Sequence, residues 1–363
     1  MQPTIENLFK RQITLKEMGK EGQEKLKKTS VLVIGCGGLG SPIAVYLAMS
    51  GIGKIHLVDF DTVDITNLHR QVFFTLEDLG KPKAQVLADF IKQRNPFTKI
   101  TVSNIPITKR NVLQIVTQAD LIVDATDSLP TKYLINDACV MCNKALVYGS
   151  LYKFDGYVAS FNVLQKNNTY SSNLRDAFPE MTTDIPNCEE AGTLNAIVGI
   201  IATMQVNEVL KLALSIGQPL INQLQIINSL QNSSLNIKLK ATCSKEKITA
   251  VFEKENYFDS SCQIPKDDLQ ITALDLQELI VQQNNTLEII AVLPNLALPF
   301  SVSKTIPMNT FDAQKITIDP TKTYVMVCQR GKNSFIAAQK IKAVYPNAKV
   351  LSLAGGISEY KSL

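Results

Sequence analysis

The sequence predicts an α/β protein: a doubly wound, mostly parallel sheet with helices on both faces, then a smaller α/β unit. Three observations carry this. Residues 31–34 are an apolar, β-branched run that leads at once into Gly35-Cys36-Gly37-Gly38-Leu39-Gly40. Short apolar runs then alternate with helical patterns as far as Gly149, as parallel strands joined by crossover helices require. The same alternation starts again in the last part of the chain, and 363 residues with 45% hydrophobic content can bury two cores.

Ser41 and Pro42 suit a helix start, residues 43–49 its body, and Gly51 and Gly53 its end. Residues 55–58 give a second strand ending at Asp59, which completes a strand, glycine turn, helix, strand unit. Further strands are predicted at 100–102, 121–124 and 145–148, and helices at 81–93, 111–118 and 131–143. Beyond Gly149, Phe154-Asp155-Gly156-Tyr157 reads as a turn between strands and residues 167–188 as a long irregular crossover. A long helix starts near Leu194, and short β-rich runs follow at 224–228 and 235–239. The poorly patterned, charged stretch after Thr242 reads as a linker, so domains are expected at 1–242 and 264–363, joined by 243–263. The second unit carries helices at 275–282 and 334–344 and strands at 288–292, 324–327 and 349–353.

Lys and Arg total 37 against 33 for Asp and Glu, a net charge of +4, which gives no footprint for nucleic acid or an anionic membrane. The N-terminus lacks a signal-peptide core. The most apolar stretch, 192–214, is interrupted by Asn195, Gln205, Asn207, Glu208 and Lys211, which argues for a core or interface helix over a membrane span. A soluble, cytoplasmic protein is expected, and its seven cysteines are then thiols.

A glycine turn between strand and helix brings backbone N–H groups close to a phosphate, and Gly35, Gly37 and Gly40 stand at the required spacing, with Gly38 between them. Asp59, nineteen residues after Gly40, can accept from ribose hydroxyls. These features suit NAD as well as ATP. Asn67, Arg70 and Lys83, with Asp124 and Asp127 at the end of a later strand, tip the choice to ATP. Cations and an amide suit a triphosphate, and an Asp oxygen suits Mg²⁺.

The run Arg11-Gln12, residues 31–41, Asp59-Phe60-Asp61, Asn67-Leu68-His69-Arg70-Gln71 and Gly80-Lys81-Pro82-Lys83 resembles the MoeB/ThiF family of ubiquitin-activating-enzyme-like adenylyltransferases. Asp124-Ala125-Thr126-Asp127, Asn136-Asp137-Ala138-Cys139, Tyr148-Gly149-Ser150 and Cys188-Glu189-Glu190-Ala191-Gly192 continue it, over about residues 8–240. The resemblance implies a Rossmann-like mixed sheet that binds ATP and Mg²⁺ at its C-terminal edge. It also implies adenylation of the C-terminal Gly-Gly of a small ubiquitin-like sulfur carrier, in molybdopterin or thiamine synthesis or another thiolation pathway. Gly38 would lie against the nucleotide, Asp59 and Asp61 beside the ribose, and Asn67, Arg70 and Lys83 at the phosphates. Asp127 would hold Mg²⁺, with Ser128 after it where the family usually has Asn. Arg11 resembles an arginine that reaches a neighbouring subunit's site, so a homodimer is implied.

The family commonly has two Cys-x-x-Cys pairs for structural zinc. Tyr170-Ser171-Ser172-Asn173 stands where the first should be and Cys243-Ser244-Lys245-Glu246 near the second, and one cysteine of four cannot make that site. No structural zinc is expected. Cys139 and Cys142 sit inside a helical pattern and read as structural thiols, and Cys36 as a small residue in the glycine turn. Cys188, near a predicted helix start, is a candidate nucleophile for the acyl-adenylate; the matching cysteine of relatives is covalently used in some and dispensable in others.

Cys328 closes a strand and opens Gln329-Arg330-Gly331-Lys332-Asn333-Ser334 before a helix, an environment of outward N–H groups and two cations that favours a thiolate or persulfide. With Gly355-Gly356-Ile357-Ser358-Glu359-Tyr360, it resembles the active-site loop and closing motif of rhodanese-like sulfurtransferases. The start of that domain is degenerate: Ala291-Val292-Leu293 stands where Asp-Val-Arg is usual. The expected function is ATP-dependent adenylation of a sulfur carrier, followed by sulfur transfer from Cys328 to give a thiocarboxylate, with a cysteine desulfurase as persulfide donor. The alternatives are adenylation beside a non-catalytic rhodanese-like domain, a non-catalytic binding module, and an NAD-dependent oxidoreductase.

Overall fold

The computed structural model describes residues 4–181, 192–255, 257, 269–281, 286–293, 298–329 and 331–360. The chain divides into two compact units, Met1–Asp259 and Ser260–Leu363. In the first, β1 (Ser30–Ile34), β2 (Lys54–Val58), β3 (Lys99–Ser103), β4 (Leu121–Asp124), β5 (Ala145–Tyr152), β6 (Asp155–Phe161), β7 (Gln223–Asn228) and β8 (Ser233–Lys238) form one sheet, in the order β3-β2-β1-β4-β5-β6-β7-β8. The first five are parallel and the last three antiparallel.

The helices of this unit are α1 (Ile5–Leu8), α2 (Lys10–Ile13), α3 (Gly19–Lys28), α4 (Gly40–Met49), α5 (Lys83–Lys92), α6 (Val112–Val116), α7 (Leu129–Met141), α8 (Leu174–Ala177), α9 (Asn195–Leu214) and α10 (Lys245–Lys254). Side chains alternate across a strand, so β1 divides its residues between two cores. Val31 and Val33 pack with Ile43, Leu47 and Val198, and Leu32 and Ile34 with Ile115, Tyr133 and Ile135. Helix α4 packs on β1 and on α9, which is why it has almost no polar face. Helix α9 is, among the described residues, the one long and apolar enough to cross a membrane. It lies on α4, β5 and β6 with Gln205 and Glu208 buried.

Two local readings need correction. The stretch expected to be a linker contains α10, capped by the Ser244 side chain and docked on α7 through buried Ile248 and Phe252. Its two apolar anchors, four residues apart, are too few to stand out among charges. The turn expected at 154–157 is tighter: Asp155 already begins β6, and Lys153 bends the chain with φ 56°.

The second unit is a five-stranded parallel sheet, ordered β11 (Lys304–Thr305), β10 (Leu287–Ala291), β12 (Thr323–Val327), β13 (Lys349–Leu353) and β9 (Gln270–Ile271). Helices α11 (Ala273–Val281), α12 (Lys332–Val344) and α13 (Gly356–Tyr360) accompany it. Ile290 and Met326 enter one core, and Ile289, Val325 and Val327 the other.

Candidate active site

Strands β1 and β4 are neighbours, while β2 and β5 continue the sheet in opposite directions. Ligands bind at such a reversal, outside the C-terminal strand ends. Here Ile34 pairs with both Val58 and Asp124, so the segments that follow β1, β2 and β4 converge.

The turn at 35–40 is closed by contacts that only glycine permits. Gly35 has φ +91°, and a Cβ there would meet the Ala125 carbonyl oxygen at 2.7 Å. A Cβ on Gly40 would fall 1.7 Å from the Gly35 oxygen. Helix α4 starts directly from this turn, with Ser41 fixed by its hydroxyl to the Gly37 oxygen at 2.8 Å. The start of the helix turns the positive end of its dipole to the glycine turn, as suits an anion.

Around the turn stand the residues expected from the sequence. Asp59 is buried, and its two oxygens accept from Cys36 N at 2.5 Å and Asp61 N at 2.7 Å. Burial pushes its carboxyl above the usual range, against the pull of these two bonds. Lys83 opens α5 and is 5% exposed, with its ammonium 2.9 Å from an Asp61 oxygen. Arg70 donates to the Thr66 oxygen at 3.3 Å and lies at 2.9 Å from His69 Nε2; a Cβ on Gly38 would stand 3.7 Å from its Cγ. Asn67 accepts from Gln71 Nε2 at 2.9 Å. Asp127 is exposed just past β4, and Ser128 caps α7 by accepting from Thr131 N at 3.2 Å.

Asp124 leaves the array expected from its position at a strand end. It is fully buried, with one oxygen on the Lys132 ammonium at 3.2 Å and the other on Thr126. Lys132 also donates to the Gly149 oxygen at 2.7 Å and so locks the end of β4 to β5. Gln71 is buried beside Gly37, and its Oε1 has no partner among the described residues. Sequence reading missed both Lys132 and the role of Gln71. Nothing local distinguishes Lys132 from a surface lysine on an amphipathic helix.

Arg11 is not part of this cluster. It is exposed on α2, whose Gln12 bonds Gln23 Oε1 at 2.6 Å and the Ser50 oxygen at 2.7 Å. That anchors α2 at the C-terminal end of α4, about 15 Å along the helix from the glycine turn. Cys188 lies outside the described residues.

Tyr170-Ser171-Ser172-Asn173 and Cys243-Ser244-Lys245-Glu246, the segments where the family commonly has its zinc pairs, supply one cysteine between them. Among the described residues no three His, Cys, Asp or Glu side chains are grouped to hold a metal. The two segments in question nevertheless meet, on a carboxylate. One Asp176 oxygen accepts from Thr242 N at 2.7 Å, Thr242 Oγ1 at 2.8 Å and Cys243 N at 2.8 Å; the other accepts from Asn173 N and Nδ2, both at 2.9 Å. Beside it, Arg175 grips fully buried Asp137 with two nitrogens, at 2.9 Å and 2.7 Å, and the Tyr257 hydroxyl donates to the same carboxylate. Burial pushes the thiols of Cys36, Cys139 and Cys142 up, as suits structural roles.

In the second unit Cys328 follows β12 and is 3% exposed. Gly331, at φ +82°, starts α12, and a Cβ on it would meet Gly355 N at 3.0 Å and Gly356 N at 3.3 Å. The two motifs singled out in the sequence are therefore packed face to face. Tyr360, where tryptophan is usual, meets Phe300 edge-on at 4.8 Å.

The ThiF family profile matches residues 9–247. The chain belongs to the ThiF family. Among its relatives in this family is the sulfur carrier protein adenylyltransferase of Thermus thermophilus, 38% identical over 65% of this chain and 88% of that one. The adenylyltransferase and sulfurtransferase MOCS3 of Aedes aegypti is 32% identical over 93% of this chain and 82% of that one, so the similarity extends through the second unit. Part of the solved structure of E. coli MccB has the same fold, with TM-score 0.58 at 23% identity over 68% of this chain and 75% of that one.

Proposed function

We propose that this ThiF-family enzyme uses ATP to adenylate the C-terminal glycine of a ubiquitin-like sulfur carrier and then converts the adenylate to a thiocarboxylate. The observation that supports it most is the meeting of the glycine turn, Asp59, Arg70 and the buried Lys83 at one strand-end notch. A hydride-transfer site needs no such cations, and family membership sets the NAD reading aside.

The turn and the start of α4 would seat the phosphates, and Asp59 and Asp61 the ribose side. Asn67, Arg70 and Lys83 would contact the phosphates, with Ser128 beside them. Asp127, an exposed oxygen donor, suits Mg²⁺, which when bound would offset the triphosphate charge. The carrier carboxylate attacks the α-phosphorus and pyrophosphate leaves. No general base is required, because the nucleophile is already ionised. Arg70 and Lys83 stabilise the added negative charge. The position of Arg11 at the far end of α4 supports its use in a second subunit's notch, hence a homodimer.

For the second half, the outer sulfur of a Cys328 persulfide displaces AMP from the carbonyl carbon and leaves an acyl disulfide. A second thiol attacks the Cys328 sulfur and expels the thiocarboxylate; Cys188 stays the candidate for an acyl-linked intermediate formed from the adenylate. Holding both units on one chain raises the local concentration of persulfide near a hydrolysable adenylate. The chemistry suits the cytoplasm, where thiols stay reduced, with a cysteine desulfurase supplying the persulfide.

The test is ATP–pyrophosphate exchange with a Gly-Gly-ended carrier: carrier-dependent exchange is expected, and its absence with every such carrier would sink the reading. We also propose that the protein carries no structural zinc and that Asp176 joins the two segments instead. Chelator treatment should leave the melting temperature unchanged, whereas Asp176→Ala should lower it by roughly 5–10 °C, from about 2–3 kcal/mol of lost charged hydrogen bonds. Stoichiometric zinc in tag-free protein would overturn this.

A further inference from the structure

After the exposed Lys349 that starts it, strand β13 is apolar except at Ser352, which is wholly buried. Its hydroxyl donates to Ser334 Oγ at 2.9 Å, and Ser334, also wholly buried, lies 3.3 Å from Cys328 Sγ. The Ser334 hydroxyl is also 3.0 Å from the Gly331 oxygen, to which it can donate. A buried hydroxyl in the middle of a strand costs free energy unless it is paired, and Ser352 is paired only along this chain of groups among the described residues.

The proton inventory gives the row a direction. Ser334 has one proton, for Gly331 O or for sulfur, and an oxygen with two lone pairs. Ser352 donates into one of them, and that bond polarises the Ser334 O–H and makes it a stronger donor. Without Ser352 the polarisation is lost, and both lone pairs are open to the S–H of neutral Cys328. We propose that Ser352 is a positioning residue for sulfur transfer: by donating to Ser334 it strengthens the hydrogen bond that Ser334 offers the Cys328 thiolate.

The proposal rests on reading Cys328 as the sulfur-carrying thiol. In loading, the Cys328 thiolate attacks the outer sulfur of a persulfide or thiosulfate. The donor's S–S bond breaks, and the donor leaves with the electron pair as a thiolate or sulfite. In the thiosulfate:cyanide reaction cyanide then takes the outer sulfur as thiocyanate, and Cys328 leaves as thiolate. Negative charge gathers on the Cys328 sulfur in both steps, where Ser334 can donate.

The experiment uses the full chain and follows iodoacetamide alkylation of Cys328 by mass spectrometry across pH, alongside thiosulfate:cyanide sulfur transfer. Ser352→Ala and Ser334→Ala should each move the alkylation profile to higher pH by up to about one unit and slow alkylation at neutral pH roughly threefold to tenfold. Ser352→Cys fills the site with a somewhat larger atom that is a weak donor and should behave like Ser352→Ala, which separates lost donation from a lost contact. A Ser352→Ala profile that overlays the wild type overturns the positioning role while leaving sulfur transfer standing. Sulfur transfer that survives in Cys328→Ala overturns the reading of the site itself.

Discussion

Lys83→Ala is expected to lower carrier-dependent pyrophosphate exchange by about 10²–10³-fold, the usual cost of removing one preorganised charge from a water-poor reaction site. Lys83 is 5% exposed and starts α5, so its ammonium is fixed before ATP arrives rather than recruited from solvent. Asp61 holds it at 2.9 Å from a side that is itself about half exposed, at 49%. After the substitution Asp61 can hydrate, so the fold should lose little, and the melting temperature should stay within a few degrees of wild type. Exchange within threefold of wild type would remove Lys83 from the mechanism. Asp61→Asn makes a useful partner: it keeps the lysine but weakens its tether, and a smaller loss is expected.

The second large effect concerns stability. Asp137→Ala should destabilise the first unit by about 3–5 kcal/mol, measured by denaturant unfolding, because it strands a buried guanidinium. Arg175 is 8% exposed and makes its charged contacts to Asp137, and the Tyr257 hydroxyl points at the same carboxylate. Burial pushes the Tyr257 phenol up, and the neighbouring carboxylate pushes it the same way, so it remains a neutral donor at every working pH. Replacing both charges together, Asp137→Leu with Arg175→Met, should recover much of the loss. A single substitution costing under 1 kcal/mol would show that the network carries no weight.

The sequence makes the frame legible for clear physical reasons. Buried parallel strands are continuous apolar runs, and the glycine turn between β1 and α4 has no other residue that fits. Residues at strand ends, among them Asp59 and Asp127, were therefore placeable once the strands were. Pairings across long sequence separations were not. From sequence Asp124 joins the ligand array, because nothing near it announces Lys132 as its partner or the Gly149 oxygen as the third member. Tyr257 lies in a stretch without pattern, yet its hydroxyl reaches a helix 120 positions away. The two-residue strands β9 and β11 are too short to show any period.

The carboxylate of Asp176 has a consequence for how the protein matures. A clasp made of amide protons and one acidic side chain is inherited with the gene and completes itself as the polypeptide folds. On the zinc-free reading proposed above, no metal ion has to be delivered, and assembly of this region would proceed at the same rate in a cell starved of zinc as in one supplied with it.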